Sequence, residues 1–371
     1  MRVLFVIERY WPDFGGAETV SEEFIDAQRV AGDEFEVITS HGNAPGLADV
    51  ELYRGVPVRR LRVVEAVRAN DVGALLDLRR TLRAHLERFQ PDLVHITVLG
   101  PLSWLMAQVL DTSPLPVVVS VQGLDSVTGA GSSAQRRVLA RADQVIACSR
   151  GVLAWAKSIE PGIMPRSRVV YNALPAPALA PSPAANGATF LCAGRMVAQK
   201  GFHLAIEAFA RLSRRHPRAR LRLAGDGREL ETLRRVALVS GVAERVEFAG
   251  RLSRPEVLAA MRDALACVLP SRGMEGFPLA IVEAAQMARC TIATNLPGVA
   301  EMVDDDVNGL LVPPGDVARL SAAMERLLLE PALAARLGAA AQKRASEELS
   351  FAKLLDAYRS TYQAAVGECA A

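Results

Sequence analysis

The residues best placed for chemistry lie between Pro270 and Glu283, which read Pro-Ser-Arg-Gly-Met-Glu-Gly-Phe-Pro-Leu-Ala-Ile-Val-Glu after the apolar run Cys267 to Leu269. They occupy the turn at a strand's carboxyl end, where open α/β sheets bind ligands. Pro278 suits a first helical position, leaving the N–H groups around Gly276, Phe277, Leu279 and Ala280 at a positive helix start that favours phosphate. Glu275 precedes that helix and Glu283 lies inside it, so the two carboxylates reach different parts of one ligand as acceptors for sugar or ribose hydroxyls. Two such glutamates alone would be surface residues by default; a Gly-Phe-Pro turn behind a buried strand favours the ligand.

Other strand ends carry related signals. Arg195 and Lys200 follow the run ending at Ala193, beside Gly194 and Gly201. Fixed cations there can neutralise a diphosphate. Gly225 and Asp226 close one glycine turn, and Arg251 and Leu252 follow another at Gly250. In the first half, Phe14-Gly15-Gly16-Ala17-Glu18 opens an amphipathic helix, where glycines admit a ligand to the backbone and to free donors. Val94-His95-Ile96-Thr97 and Val118 to Asp125 end two further apolar runs. His95 is best read as a core histidine satisfied by backbone.

The spacing Glu275-x7-Glu283 resembles the signature of retaining GT-B glycosyltransferases of the GT4-type family, glycosyltransferase group 1, and the resemblance extends over nearly the whole chain. It implies that Arg195 and Lys200 grip the donor diphosphate, with Gly194, Gly225, Asp226, Arg251, Leu252, Gly276, Phe277, Pro278, Leu279 and Glu283 on the nucleotide side. Gly15 and Gly16 match a loop at the donor phosphates, Gly16 also facing the acceptor with Gln122, Asp125 and Thr97. Asn295 to Glu301 resembles a turn that shapes the back of the donor pocket.

Departures are equally legible. Gln122 stands where the family usually has a histidine at the sugar's reactive face, and an amide cannot titrate near neutrality. Ser149 and Asn172 match the family, but the hinge reads Asn172-Ala173-Leu174-Pro175. Retention by double displacement needs a carboxylate nucleophile, and Asp125 is the candidate for it. A front-face reaction, in which the leaving phosphate takes the acceptor's proton, requires only positioning and charge stabilisation. The expected catalytic set is Arg195, Lys200, Glu275 and Gln122, with a nucleotide diphosphate sugar, most simply a UDP-sugar, as co-substrate and no metal or cofactor. A nucleotide-sugar 2-epimerase of the same fold and a nucleotide-sugar-binding protein without turnover remain alternatives. The first turn, Glu8 to Gly16, does not have the spacing of a dinucleotide-binding Gly-x-Gly-x-x-Gly.

Short apolar runs alternating with amphipathic segments predict the elements that hold these turns, as βαβ units around parallel sheets. Strands are expected at Arg2 to Ile7, Phe35 to Thr39, Val56 to Leu61, Leu93 to Thr97, Pro116 to Val121, Gln144 to Cys148 and Arg168 to Tyr171. A proline- and alanine-rich linker, Ala173 to Gly187, precedes strands at Ala188 to Ala193, Arg220 to Ala224, Val246 to Ala249, Ala266 to Leu269, Cys290 to Ala293 and Gly309 to Val312. The expected architecture is α/β, a GT-B fold of two Rossmann-like domains facing each other across a cleft. Residues 1–175 form the acceptor-side domain and 176–351 the nucleotide-sugar domain, with helix 352–371 packing back on the first.

Composition bounds the rest. The 371 residues carry 43 Lys+Arg against 41 Asp+Glu, a charge of +2 that argues against a polyanion or nucleic-acid binder. No apolar stretch approaches a spanning helix, and the absence of a signal sequence suggests the cytoplasm. The arginines between Leu75 and Phe89 could touch a membrane, although a solvated face is the default. Five scattered cysteines fit neither a disulfide framework nor a metal site. Acceptor and oligomeric state are not encoded legibly.

Overall fold

The computed structural model describes residues 1–13, 15–42, 46–123, 132–182, 187–273 and 275–369. The chain divides into two compact units, one of Met1–Asn172 with the C-terminal stretch from Ala352, the other of Ala173–Phe351.

The first unit begins β1 (Arg2–Ile7), α1 (Gly16–Val30), β2 (Glu34–Ser40), β3 (Val50–Tyr53), β4 (Val56–Leu61), α2 (Val63–Arg68) and α3 (Val72–Phe89). It continues β5 (Leu93–Thr97), α4 (Pro101–Leu110), β6 (Val117–Val121), α5 (Ser132–Arg141), β7 (Gln144–Ala147), α6 (Arg150–Ile159) and β8 (Ser167–Val169). Among the described residues the sheet runs β3-β4-β2-β1-β5-β6-β7-β8. Strands covered on both faces must be apolar throughout, which is why Val3 to Ile7 and Val117 to Val119 are buried.

The one antiparallel pairing described in this sheet is β3 with β4, joined by the two-residue turn Arg54-Gly55. The segment Val50 to Tyr53 is not among the strands expected from the sequence. Val50 and Leu52 face solvent on this edge strand, so it lacks the buried apolar run that marks the other strands.

The second unit runs β9 (Thr189–Ala193), α7 (Phe202–Ser213), β10 (Arg220–Ala224), α8 (Leu230–Val239), β11 (Val246–Gly250), α9 (Arg254–Asp263) and β12 (Ala266–Leu269). Then follow α10 (Leu279–Gln286), β13 (Thr291–Thr294), α11 (Pro297–Ala300), β14 (Gly309–Val312), α12 (Val317–Leu329) and α13 (Pro331–Glu347). Its sheet has the order β11-β10-β9-β12-β13-β14, all pairs parallel. Phe190, Phe209, Ile292 and Leu337 lie in one core across it.

The stretch read as a linker is tied down where it is described. Gln286 donates to the Leu174 carbonyl at 2.9 Å, and the buried Arg289 donates to that of Ser182 at 2.7 Å. A guanidinium has five donors to satisfy when buried, and irregular carbonyls of this segment meet part of that demand. The last helix, α14 (Phe351–Cys369), sets Tyr358 and Tyr362 against Phe24 of α1, ring centres 4.7 and 6.0 Å away. Among the described residues no helix is long and apolar enough to cross a membrane. Cys148, Cys192, Cys267 and Cys290 are buried and in no disulfide.

Candidate active site

In the second unit strand order reverses between β9 and β12, so their carboxyl ends diverge into a crevice. The turn after β9 is locked to those after β10 and β11 by backbone alone. Gly194 N–H donates to Ala224 O at 3.0 Å, Met196 N–H to Asp226 O at 2.7 Å, and Gly225 N–H to Gly250 O at 2.7 Å. Gly225 has φ +144°, and a Cβ there would overlap the Gly194 carbonyl oxygen, so only glycine fits. This interlock holds Arg195 in the open, where it forms no ion pair with a described residue. The Asp226 carboxylate accepts from Gly227 N–H at 2.7 Å. Arg251 lies exposed past β11, and Leu252 packs half-buried beside the core under α9.

The turn after β12 joins that after β9 through Arg272 N–H to Gln199 O, 2.8 Å. Across this contact the Lys200 ammonium meets both oxygens of Glu275, at 2.7 and 3.0 Å, while Ser271 Oγ donates to Glu275 Oε1 at 2.5 Å. Pro278 is not the first helical residue: its ψ of 110° is extended, it caps α10, and Leu279 begins the helix. The open donors at this end therefore sit one residue later than the proline rule suggests. Phe277 and Leu279 are buried beneath the turn. A Cβ on Gly298 of α11 would overlap the carbonyls of Glu275 and Gly276, so the Asn295 to Glu301 segment backs this turn at the closest approach a backbone allows. Glu283 lies 3.5 Å from Arg254 at the start of α9. Burial raises its carboxyl above the usual range and Arg254 opposes that. The two carboxylates are thus held by different cations.

The first unit reverses strand order between β1 and β5. Gly15 caps α1 and Gly16 begins it, but the Glu18 carboxylate folds back over Gly15 and pairs with Arg9 at 3.3 Å. An anion approaching this helix start meets that carboxylate first. Thr97, expected on the acceptor side, is buried, with its hydroxyl directed at Ser120 O, 3.4 Å away. All of β5 is buried, so the strand's end leaves this hydroxyl covered. The next residue, Val98, has φ +66°, a costly conformation for a β-branched residue and one that concentrates at functional sites. Asp125 lies outside the described residues.

Gln122 is half-buried just past β6. Its Oε1 accepts from Asn172 Nδ2 at 2.8 Å and its Nε2 donates to the Tyr358 hydroxyl at 3.2 Å. His95 is buried but satisfied by side chains, not backbone: Tyr362 OH at 2.6 Å and Ser120 Oγ at 2.8 Å. Burial lowers its pKa to about 3, so the ring is neutral. Ser149 caps α6 by accepting from Val152 N–H at 3.1 Å.

Three residues escaped sequence reasoning. Glu8 follows β1 directly at the switch point, buried, its Oε1 accepting from Ser103 N–H at 2.9 Å and its Oε2 from Ser40 Oγ at 3.3 Å. The signal was present as a carboxylate closing a buried parallel strand. Tyr358 falls in the apolar stripe Leu354, Leu355, Tyr358 and Tyr362 of the last helix, a pattern that marks the ring for burial and says nothing of its hydroxyl. Arg254 is a cation at a helix start, unfavourable to the helix dipole, and that mismatch could have marked it as a partner for Glu283.

The family model Glycosyl transferases group 1 matches residues 181–344, and the model Glycosyltransferase Family 4 matches residues 14–175. Glycogen synthase of Mycobacterium tuberculosis is 30% identical over 294 residues, 75% of this chain and 70% of that protein. A GDP-mannose-dependent alpha-(1-6)-phosphatidylinositol monomannoside mannosyltransferase of the same species is 34% identical over 145 residues, 38% of each. Among solved structures, sucrose-phosphate synthase from Thermosynechococcus elongatus aligns with a TM-score of 0.82 at 20% identity over 98% of both chains. HepE of Anabaena, in complex with UDP-glucose, aligns at 0.80 and 20% over 98% of this chain and 99% of that one. With both halves matched and each sheet reversing at a turn that bears the site residues, the chain belongs to the group 1, family 4 glycosyltransferases and has their GT-B fold.

Proposed function

We propose that this glycosyltransferase moves a hexosyl unit from a UDP-sugar to a hydroxyl acceptor with retention and without a metal. The observation that carries the reading is the Lys200 ammonium, fixed 2.7 Å from Glu275 where the β9 and β12 turns meet, with Arg195 open on the same turn. These two cations can balance the charge that develops on a diphosphate as its bond to the anomeric carbon breaks. In the front-face course the acceptor oxygen bonds to that carbon on the side the diphosphate leaves, and its proton passes to the departing phosphate oxygen. The start of α10 adds N–H donors, Glu275 and Glu283 accept hydrogen bonds from sugar and ribose hydroxyls, and Gln122 meets the sugar. Uridine is preferred because the Anabaena relative was solved with UDP-glucose; GDP is the competing nucleotide, after the mycobacterial mannosyltransferase.

The test is a thermal-shift panel of UDP-, GDP- and ADP-glucose, followed by nucleotide release with candidate acceptors and NMR of the product's anomeric proton. Transfer with retention that persists in EDTA is expected. Activity lost in EDTA and restored by Mg²⁺, or an inverted product, refutes the mechanism. Epimerised donor without nucleotide release refutes transfer itself.

A further inference from the structure

Gln122 has three side-chain rotatable bonds, all of which must be frozen before its amide can meet a substrate in one geometry. The structure freezes it from two sides. Asn172, the last residue of the first unit, donates Nδ2 to Gln122 Oε1 at 2.8 Å. Tyr358 of α14 receives Gln122 Nε2 on its hydroxyl at 3.2 Å. Neither partner is free to drift: Asn172 is buried, and so is Tyr358, whose ring stacks obliquely on Phe24, 4.7 Å between centres.

The Tyr358 hydroxyl also bonds Ser120, whose Oγ is 2.8 Å from His95 Nε2, while His95 Nδ1 meets Tyr362 OH at 2.6 Å. A chain of hydrogen bonds thus runs from Gln122 into the core and out to two tyrosines one turn apart on α14. Such a chain fixes each member through its neighbours. Asn172 Oδ1, by contrast, is buried and has no hydrogen-bond partner among the described residues. A buried orphan acceptor is unfavourable, and the asparagine is kept with its amide committed to Gln122.

An amide has four hydrogen-bonding positions, two on oxygen and two on nitrogen. We propose that Asn172 and Tyr358 are positioning residues that hold the Gln122 amide between them, leaving one N–H and one lone pair for a substrate. The clamp does for an amide what ring rigidity does for a histidine. It rests on the reading that Gln122 meets the sugar.

The test is a double-mutant cycle on the full chain. Nucleotide release with water as acceptor is measured for whichever of UDP-, GDP- or ADP-glucose most stabilises the protein. Tyr358→Phe keeps the buried ring, and Asn172→Ala removes the other partner. Each is expected to lower kcat about tenfold with donor KM changed less than about twofold, as loss of one orienting hydrogen bond implies. In a Gln122→Ala background neither should lower kcat further, because a positioning residue has nothing left to position. Losses that add in that background make both residues merely structural and overturn the proposal. A Gln122→Ala variant with unchanged kcat removes the reading of Gln122 as a sugar contact beneath it, and no release by the parent protein from any donor, with water or with the candidate acceptors, removes the transferase reading. These failures are distinguishable, and each overturns the clamp.

Discussion

Replacing Glu8 by glutamine should stabilise the first unit at neutral pH and remove part of its pH dependence. Burial raises the Glu8 carboxyl from 4.5 to about 7, against the opposing pull of Ser103 and Ser40. The folded chain therefore binds this proton more tightly than the unfolded chain does. Its contribution is present in full below pH 4.5 and is lost as pH rises through about 7. At roughly 1.4 kcal/mol per pH unit, the loss is about 3 kcal/mol. Glu8→Gln retains an acceptor for Ser103 N–H and gains a donor for Ser40 Oγ, and it does not titrate. Urea unfolding from pH 4.5 to 8.5 checks this with little ambiguity, because the three tryptophans, Trp11, Trp104 and Trp155, all lie in the first unit. Glu22, also raised to about 7 by burial, and His85, lowered to about 4, titrate alike in both proteins and cancel in the difference. The gap between variant and parent should widen by about 3 kcal/mol across this range. Parallel profiles would mean that Glu8 is carried as a carboxylate at little cost, and the reasoning fails.

Lys200→Met should lower kcat of nucleotide release by about a hundredfold or more; a rise in donor KM with kcat unchanged would reduce Lys200 to ground-state binding. Gly225→Ala forces a Cβ onto the Gly194 carbonyl. It should destabilise the second unit by about 3 kcal/mol and weaken nucleotide binding measured by calorimetry, and a neutral result would show that the interlocked turns can yield. Glu283→Gln leaves Arg254 without its carboxylate, and nucleotide-sugar affinity should fall about tenfold if that carboxylate also holds a ribose diol; unchanged affinity would confine Glu283 to pairing with Arg254.

Most of the fold was legible because buried parallel strands are continuous apolar runs that end in glycine or polar turns. Arg220 to Ala224 and Gly309 to Val312 coincide with β10 and β14 for that reason. Edge strand β3 was not legible, since exposed Val50 and Leu52 break the rule. Pro278 stands one position before the helix, because its ring fixes φ but leaves ψ open, and here ψ is extended. The linker's composition is proline-rich, and only the structure shows that Arg289, more than a hundred positions away, holds the Ser182 carbonyl.

The sequence by itself determined the local facts: which segments are strands, which turns carry glycine, and which turns present Arg195, Lys200, Glu275 and Glu283. Periodicity and turn chemistry act over a few residues, so neighbours suffice to read them. Only tertiary structure decided what those turns meet. Lys200 reaches Glu275 across 75 positions, while Gln122 is held by Asn172 at 50 and by Tyr358 at 236. Such pairings follow from sheet order and from the return of α14 to the first unit, which are settled by how whole faces bury against each other. An apolar stripe records that a face is buried; which polar group its tyrosine will hold depends on the surface it finds.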